Sequence, residues 1–271
     1  MKRNDVLAAL APFVLGMPLH FLPVARSQDE VKIDRKHMRE LKAKFWIYGS
    51  NPRQLVVQEG ANLHIKIPAG LPNVSQAGVY SKFVLAGNCE ASCTFQLINF
   101  PIVRTGYGSM VGMAFDGPVE RSWGGIERVF IPKSGNCFVF MTVLPDTDGT
   151  MKQQIKIVST KSISGKIGLK REKNDLIFLA AESPTADLIE LHRFPFTDET
   201  IRSVRFFGDP GGSPTSLEVR LTDMTISAEE ITGGIPKREL NAFPWHWPAI
   251  GAATLLGGFL VWHVLRRNAK N

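Results

Sequence analysis

Three cysteines in 271 residues are too few to staple a domain of this size, and an odd count leaves one thiol over. Cys89 and Cys93 share one face of a single strand pattern, about 13 Å apart when extended, too far for a mutual bridge. Cys137 is the remaining partner for either of them, and buried free thiols are the simpler reading. The six histidines form no His-x-His or His-Glu-x-x-His pattern, which removes the usual zinc spacings. There is no Gly-x-Ser-x-Gly elbow for a serine hydrolase. Nor is there a Glu-x-Asp-x-Glu run, which would put paired carboxylates on one face of a strand for glycoside hydrolysis. Glu218 and Asp223 share the nearest approach to such a strand, but five residues apart they fall on opposite faces unless a bulge intervenes. Internal repeats, low-complexity tracts and amphipathic helices are also missing.

Charge is present but unevenly placed. The formal charge is +7, which falls to +5 without residues 1–27 and to +2 when Arg266, Arg267 and Lys270 are also left out. A basic excess confined to the ends reads as targeting signals, and nucleic acid is excluded as a partner.

Residues 1–27 carry Lys2 and Arg3, an apolar run over 6–24, and Ala25-Arg26-Ser27, the three parts of a secretory signal with cleavage after Ser27. Pro12, Pro18, Pro23 and His20 interrupt the run and disfavour a retained helix. At the other end, residues 232–244 form a linker, and 245–265 form an apolar segment long enough for one transmembrane helix. Trp245, Trp247 and Trp262 are expected at the membrane interfaces, and the basic tail 266–271, with Arg266 and Arg267, sets the cytoplasmic end. The expected protein is therefore membrane-anchored, its domain on the extracytoplasmic side and its C-terminal tail in the cytoplasm.

Between these ends, residues 28–44 are densely charged and read as a spacer or short helix, and residues 45–231 read as one all-β domain. Short runs alternate apolar and polar residues, as in Leu63-His64-Ile65-Lys66-Ile67, with Gly, Pro or Asp between runs. The clearest unit is 165–181, GKIGLKREKNDLIFLAA. Ile167, Leu169 and Arg171 share one face there, and Lys173-Asn174-Asp175 predicts a hairpin turn in which Asn and Asp supply the left-handed backbone.

The residues 78–90 and 97–101, with SGKIGLKREKNDLIFLAA and IRSVRFFGDPGGSPTSLEVRLTDMTISAE, carry a resemblance over about residues 55–230. They resemble a group of uncharacterised secreted domains known chiefly from planctomycetes, themselves similar to concanavalin A-like lectins and glucanases. The resemblance implies a concanavalin A-like jelly-roll β-sandwich and assigns no activity.

The candidate site residues are few. Trp46, Tyr107 and Trp123 sit beside glycine-rich stretches, where aromatic rings would stack on sugars, although core packing is the commoner use of such rings. Arg171, in phase with Ile167 and Leu169, either grips a ligand or is pinned at the rim by an acid such as Asp175 or Glu218. Asp146 and Asp148 resemble the start of a calcium loop, but the sixth and twelfth positions are Met151 and Ile157, so a hairpin turn is the simpler reading and Ca²⁺ the one cofactor entertained. No catalytic residue is assigned. The function expected is that of a non-catalytic sandwich binding a glycan or an envelope partner protein, with a divergent glycoside hydrolase and a structural envelope component as alternatives.

Overall fold

The computed structural model describes residues 29–32, 43–49, 52–60, 62–70, 76–132 and 134–233. The expected signal, the linker from 234 onward, the anchor with Trp245, Trp247 and Trp262, and the tail with Arg266 and Arg267 lie outside the described residues. Among the described residues no helix is long and apolar enough to cross a membrane.

The strands are β1 (Asp29–Lys32), β2 (Phe45–Tyr48), β3 (Val56–Glu59), β4 (Asn62–Ile67), β5 (Ala77–Ser81), β6 (Phe83–Asn99), β7 (Ser109–Asp116) and β8 (Trp123–Ile131). They continue as β9 (Gly135–Pro145), β10 (Met151–Ser159), β11 (Ser164–Glu172), β12 (Asp175–Ala181), β13 (Ile189–Pro195), β14 (Ser203–Asp209) and β15 (Leu217–Gly233). A single helical turn, α1 (Pro52–Leu55), precedes β3. All pairings are antiparallel. Sheet A runs β13-β12-β11-β6-β15-β4-β3 with β1 added on β15, and sheet B runs β10-β9-β8-β7-β14-β5-β2. The fold is thus all-β with two sheets, as the alternating pattern requires. One sequence-based expectation changes here. Asp29–Lys32, placed in a charged spacer or short helix, is a strand in register with Thr225–Ala228 of β15.

The core lies between the sheets. Alternate residues of β6 and β15, among them Ala91, Cys93, Phe95, Val219, Leu221 and Ile226, are at most 1% exposed, and they face Phe115, Phe138, Phe140 and Phe206 from sheet B. The ring centroids of Phe95 and Phe138 are 6.4 Å apart, and those of Phe140 and Phe178 are 5.3 Å apart, so aromatic pairs bridge the layers. Truncating one such buried ring to alanine typically costs about 3–5 kcal/mol.

The β11–β12 hairpin forms where the sequence places it, with Glu172 opposite Asp175. The left-handed residue of its turn is Lys173, at φ 53°, rather than Asn174 or Asp175. Asn88 of β6 accepts the Lys173 amide at 2.9 Å, so a tertiary contact settles the turn's backbone. All three cysteines are free and buried. Cys89 and Cys93 face the intersheet core, whereas Cys137 packs in a second cluster on the outer side of sheet B.

Candidate active site on the outer face of sheet B

Sheet B turns a second set of side chains away from the core. Because successive residues alternate faces, Val204 and Phe206 of β14 are core and Arg205, Phe207 and Asp209 point outward. On β8 the alternation is ambiguous in sequence, since Glu127 and Arg128 are adjacent and one must go in. Arg128 goes in. It is 1% exposed and donates to the Ser162 and Val129 carbonyls at 2.9 and 2.8 Å and to Asn136 Oδ1 at 2.8 Å, which satisfies its buried guanidinium. Glu127 is thereby left on the outer face.

Strand register then fixes the outer neighbours row by row. Tyr48, Gly78, Phe207, Gly112, Glu127 and Val139 stand opposite one another across six strands. The next row is Trp46, Tyr80, Arg205, Ala114, Gly125 and Met141. The glycines are spaces that neighbouring side chains occupy. A Cβ on Gly112 would come within 2.8 Å of the Phe207 ring and 3.0 Å of Glu127 Cγ, and a Cβ on Gly125 within 3.0 Å of the Trp123 ring.

The polar groups of this face are connected. Arg205, 7% exposed, pairs through Nε with Asp116 Oδ1 at 2.9 Å, and Ser203 donates its hydroxyl to the other Asp116 oxygen. The guanidinium carbon of Arg205 lies 5.9 Å from the centre of the Trp123 ring. Tyr48 donates to Gln76 Oε1 at 2.8 Å and packs edge-on to Tyr80. Lys82 Nζ sits 4.0 Å over the Trp46 ring. Tyr107 donates to both oxygens of Asp209, and the Gly211 amide donates to Oδ1 at 2.7 Å.

Burial governs the acidity of these groups. Desolvation pushes the Glu127 carboxyl up to about 7, against the pull of Arg205. Desolvation likewise raises Asp209, to about 8, although the Gly211 amide and the Tyr107 hydroxyl favour its charged form; the charge of Glu127 raises it further. Burial, then Asp209 and Glu127, hold the Tyr107 phenol above its ordinary range. Asp209 is 2% exposed and Glu127 partly exposed, so Glu127 is the more accessible of the two carboxyls.

Of the residues singled out in sequence, Trp46, Tyr107 and Trp123 come together on this face. Arg171 does not join them. It is 1% exposed on sheet A, its Nε donating to the Gly87 carbonyl at 3.1 Å and its terminal nitrogens to the Gly87 and Glu199 carbonyls. The acids proposed to pin it are engaged elsewhere: Asp175 with Arg193 at 3.3 Å, Glu218 with His64 at 2.9 Å and Lys66 at 3.5 Å. Asp146 and Asp148 sit in the β9–β10 turn, where Asp146 accepts the Thr147 amide at 2.7 Å and Asp148 the Thr150 amide at 2.9 Å. Among the described residues no three His, Cys, Asp or Glu side chains converge as a metal cluster would require. A bulge does intervene in β15, between Thr222 and Thr225, and it puts Asp223 on the same outer face of sheet A as Glu218.

Sequence reasoning missed Glu127, Asp209, Arg205 and Asp116. The signal for Arg205 and Asp209 was Ser203, Arg205, Phe207 and Asp209 in one phase against Val204 and Phe206 in the other. Paired carboxylates on one strand are absent here, because the outward positions 125, 127 and 129 of β8 are Gly, Glu and Val.

No family model and no curated protein matches this sequence, and the planctomycete grouping finds no support. Solved structures do match. One belongs to the endo-acting O-glycanases of the human gut microbiota that initiate mucin breakdown, with a TM-score of 0.50 at 12% identity over 69% of this chain and 92% of that one. A β-1,3-1,4-glucanase (lichenase) from a mouse hindgut metagenome gives 0.49 at 11% identity over 75% and 100%. An immunostimulatory antigen and pseudo β-1,3-glucanase of Mycobacterium tuberculosis gives 0.48 at 11% over 71% and 92%. At such identities the likeness speaks of fold. The non-catalytic binder expected from the sequence finds no support here: the neighbour at a TM-score of 0.50 is described as a glycan-cleaving enzyme. The chain has the two-sheet antiparallel sandwich that the O-glycanase shares.

Proposed function

We propose that this chain is a divergent glycoside hydrolase with a concanavalin A-like jelly-roll sandwich, acting on a glycan laid over the outer face of sheet B. The observation that carries the reading is Glu127, a half-buried carboxyl that titrates near 7 on a face lined by Trp46, Tyr107 and Trp123. The three rings offer sugar-stacking surface. Glu127 ionises before Asp209 and takes a proton from the attacking water as that water adds to the anomeric carbon. As the glycosidic carbon–oxygen bond breaks, the leaving oxygen takes the Tyr107 phenolic proton. In that step Asp209, protonated below about pH 8, is the donor across its 3.0 Å contact with the Tyr107 oxygen and replaces the phenolic proton as it leaves. Glu127 and Asp209 stand on β8 and β14 with β7 between them, and Asp209 lies in the row of Val129 rather than of Glu127, so base and acid come from different strands. The reaction needs no cofactor.

Purified full-length chain incubated with β-glucans and mucin-type O-glycans is expected to release reducing ends, and E127Q to release none. Absence of release on every glycan from pH 6 to 9 overturns the reading. The sequence further supports export, with the domain outside and residues 245–265 as the anchor; protease digestion of intact cells that spares the domain counts against it.

A further inference from the structure

The opposite sheet carries a second site. Between the bulge of β15 and the segment 183–188, the outer face of sheet A opens into a hollow of about 310 Å³, lined by Ser92, Thr94, Lys166, Asp187, Leu188 and Asp223. It shares no residue with the face that holds Glu127.

Each wall has a structural origin. Ser92 and Thr94 are outward residues of β6; the Ser92 hydroxyl lies 2.7 Å from that of Thr225, and Thr94 stands opposite Lys166 and Thr222. Where the β6–β15 ladder breaks, Asp223 adopts φ 50°, a left-handed conformation that aspartate tolerates better than most residues, and its exposed carboxylate leaves the strand line. Lys166 Nζ donates to the Ala186 carbonyl at 2.9 Å and holds the 183–188 segment against the sheet. That placement brings the Asp187 carboxylate to the rim. Leu188 lies over Gly168, 3.3 Å from the point a Cβ there would occupy.

The chemistry of this lining is selective. The two aspartates outnumber the Lys166 ammonium, which is engaged by the Ala186 carbonyl, so the lining disfavours phosphates and carboxylates; Asp223 Oδ2 accepts the Thr222 hydroxyl at 3.0 Å, and the remaining carboxylate lone pairs suit ligand hydroxyls. Ser92 and Thr94 add groups that both donate and accept. Leu188 and the Lys166 stem give an apolar wall for ring C–H groups. The volume is at the small end of ligand pockets, which run from about 300 to 1,000 Å³. We propose that this hollow binds one neutral sugar unit through its hydroxyls, as a site distinct from the Glu127 face and independent of the reaction there.

The test is an amide-resonance titration of ¹⁵N-labelled full-length chain with glucose, galactose and N-acetylgalactosamine, with D187N and D223N beside it. Asn retains the left-handed backbone at 223, so D223N removes charge and keeps the fold. Saturable shifts at Ser92, Lys166, Asp187 and Asp223 are expected with at least one sugar, and each variant is expected to weaken Kd about tenfold. The proposal is overturned if none of the three sugars shifts these amides saturably, or if both variants bind as wild type does. E127Q is expected to bind normally in the hollow, so loss of turnover and loss of hollow binding are read separately.

Discussion

Tyr107 reaches from the loop before β7 to place its hydroxyl 3.1 and 3.0 Å from the two oxygens of Asp209. It therefore joins a fully buried carboxyl to a face that solvent reaches. If the proposed reaction runs through this pair, turnover is expected to peak between about pH 7 and pH 8, where Glu127 is ionised and Asp209 still protonated. Y107F is expected to keep glycan affinity and to lower kcat about a hundredfold, the scale of one proton-transfer contribution. A raised KM with kcat unchanged would assign Tyr107 to binding alone.

The same two carboxyls make folding depend on pH. Both are raised in the folded state, Glu127 to about 7 and Asp209 to about 8, so the native protein holds protons that the unfolded chain has already released. Stability is then fully present below about pH 4 as far as these groups are concerned, and it declines as pH rises toward 8. Calorimetric Tm is expected to fall between pH 5 and pH 8, and D209N to flatten that fall. An unchanged slope in D209N would show that Asp209 does not carry it.

Gly112 is expected to tolerate no side chain. A methyl group there meets the Ile126 carbonyl at 2.9 Å as well as Phe207 and Glu127, and backbone cannot step aside as a side-chain tip can. G112A should cost about 1–3 kcal/mol and move Glu127 off its position. Urea denaturation and the pH profile of any residual turnover measure the two effects separately.

Arg171 is expected to matter for stability and not for turnover. Removing it leaves the Gly87 and Glu199 carbonyls without the guanidinium that reaches them from within the sandwich. R171A should lower unfolding free energy by about 3 kcal/mol, and R171K should recover only part of it because a single ammonium lacks the planar fork. Denaturation midpoints check this, with turnover per folded molecule expected to stay constant.

How much of this was legible beforehand depends on what each feature answers to. The two-sheet body and the β11–β12 hairpin follow from alternation and turn chemistry, which are local, and the sequence shows both. The inward phase of Arg171 was readable for the same reason, but its partners were not, because backbone carbonyls brought close by the fold leave no mark in composition. Trp46, Tyr107 and Trp123 were picked out one by one; only the strand order, which interleaves β14 and β5 between β7 and β2, brings them to one face. Glu127 was hidden by Arg128 beside it. Either residue reads as the exposed one until Ser162 and Asn136 are seen waiting on the inner side.

The pairing of β1 with β15 has a mechanical consequence. Asp29 lies opposite Ala228 and Lys32 opposite Thr225, so the chain enters β1 and leaves β15 at the same end of the ladder. A pull applied between residues 29 and 228 loads those hydrogen bonds one after another and peels β1 away like a strip. Under tension this first strand is a fuse that yields before the sandwich does.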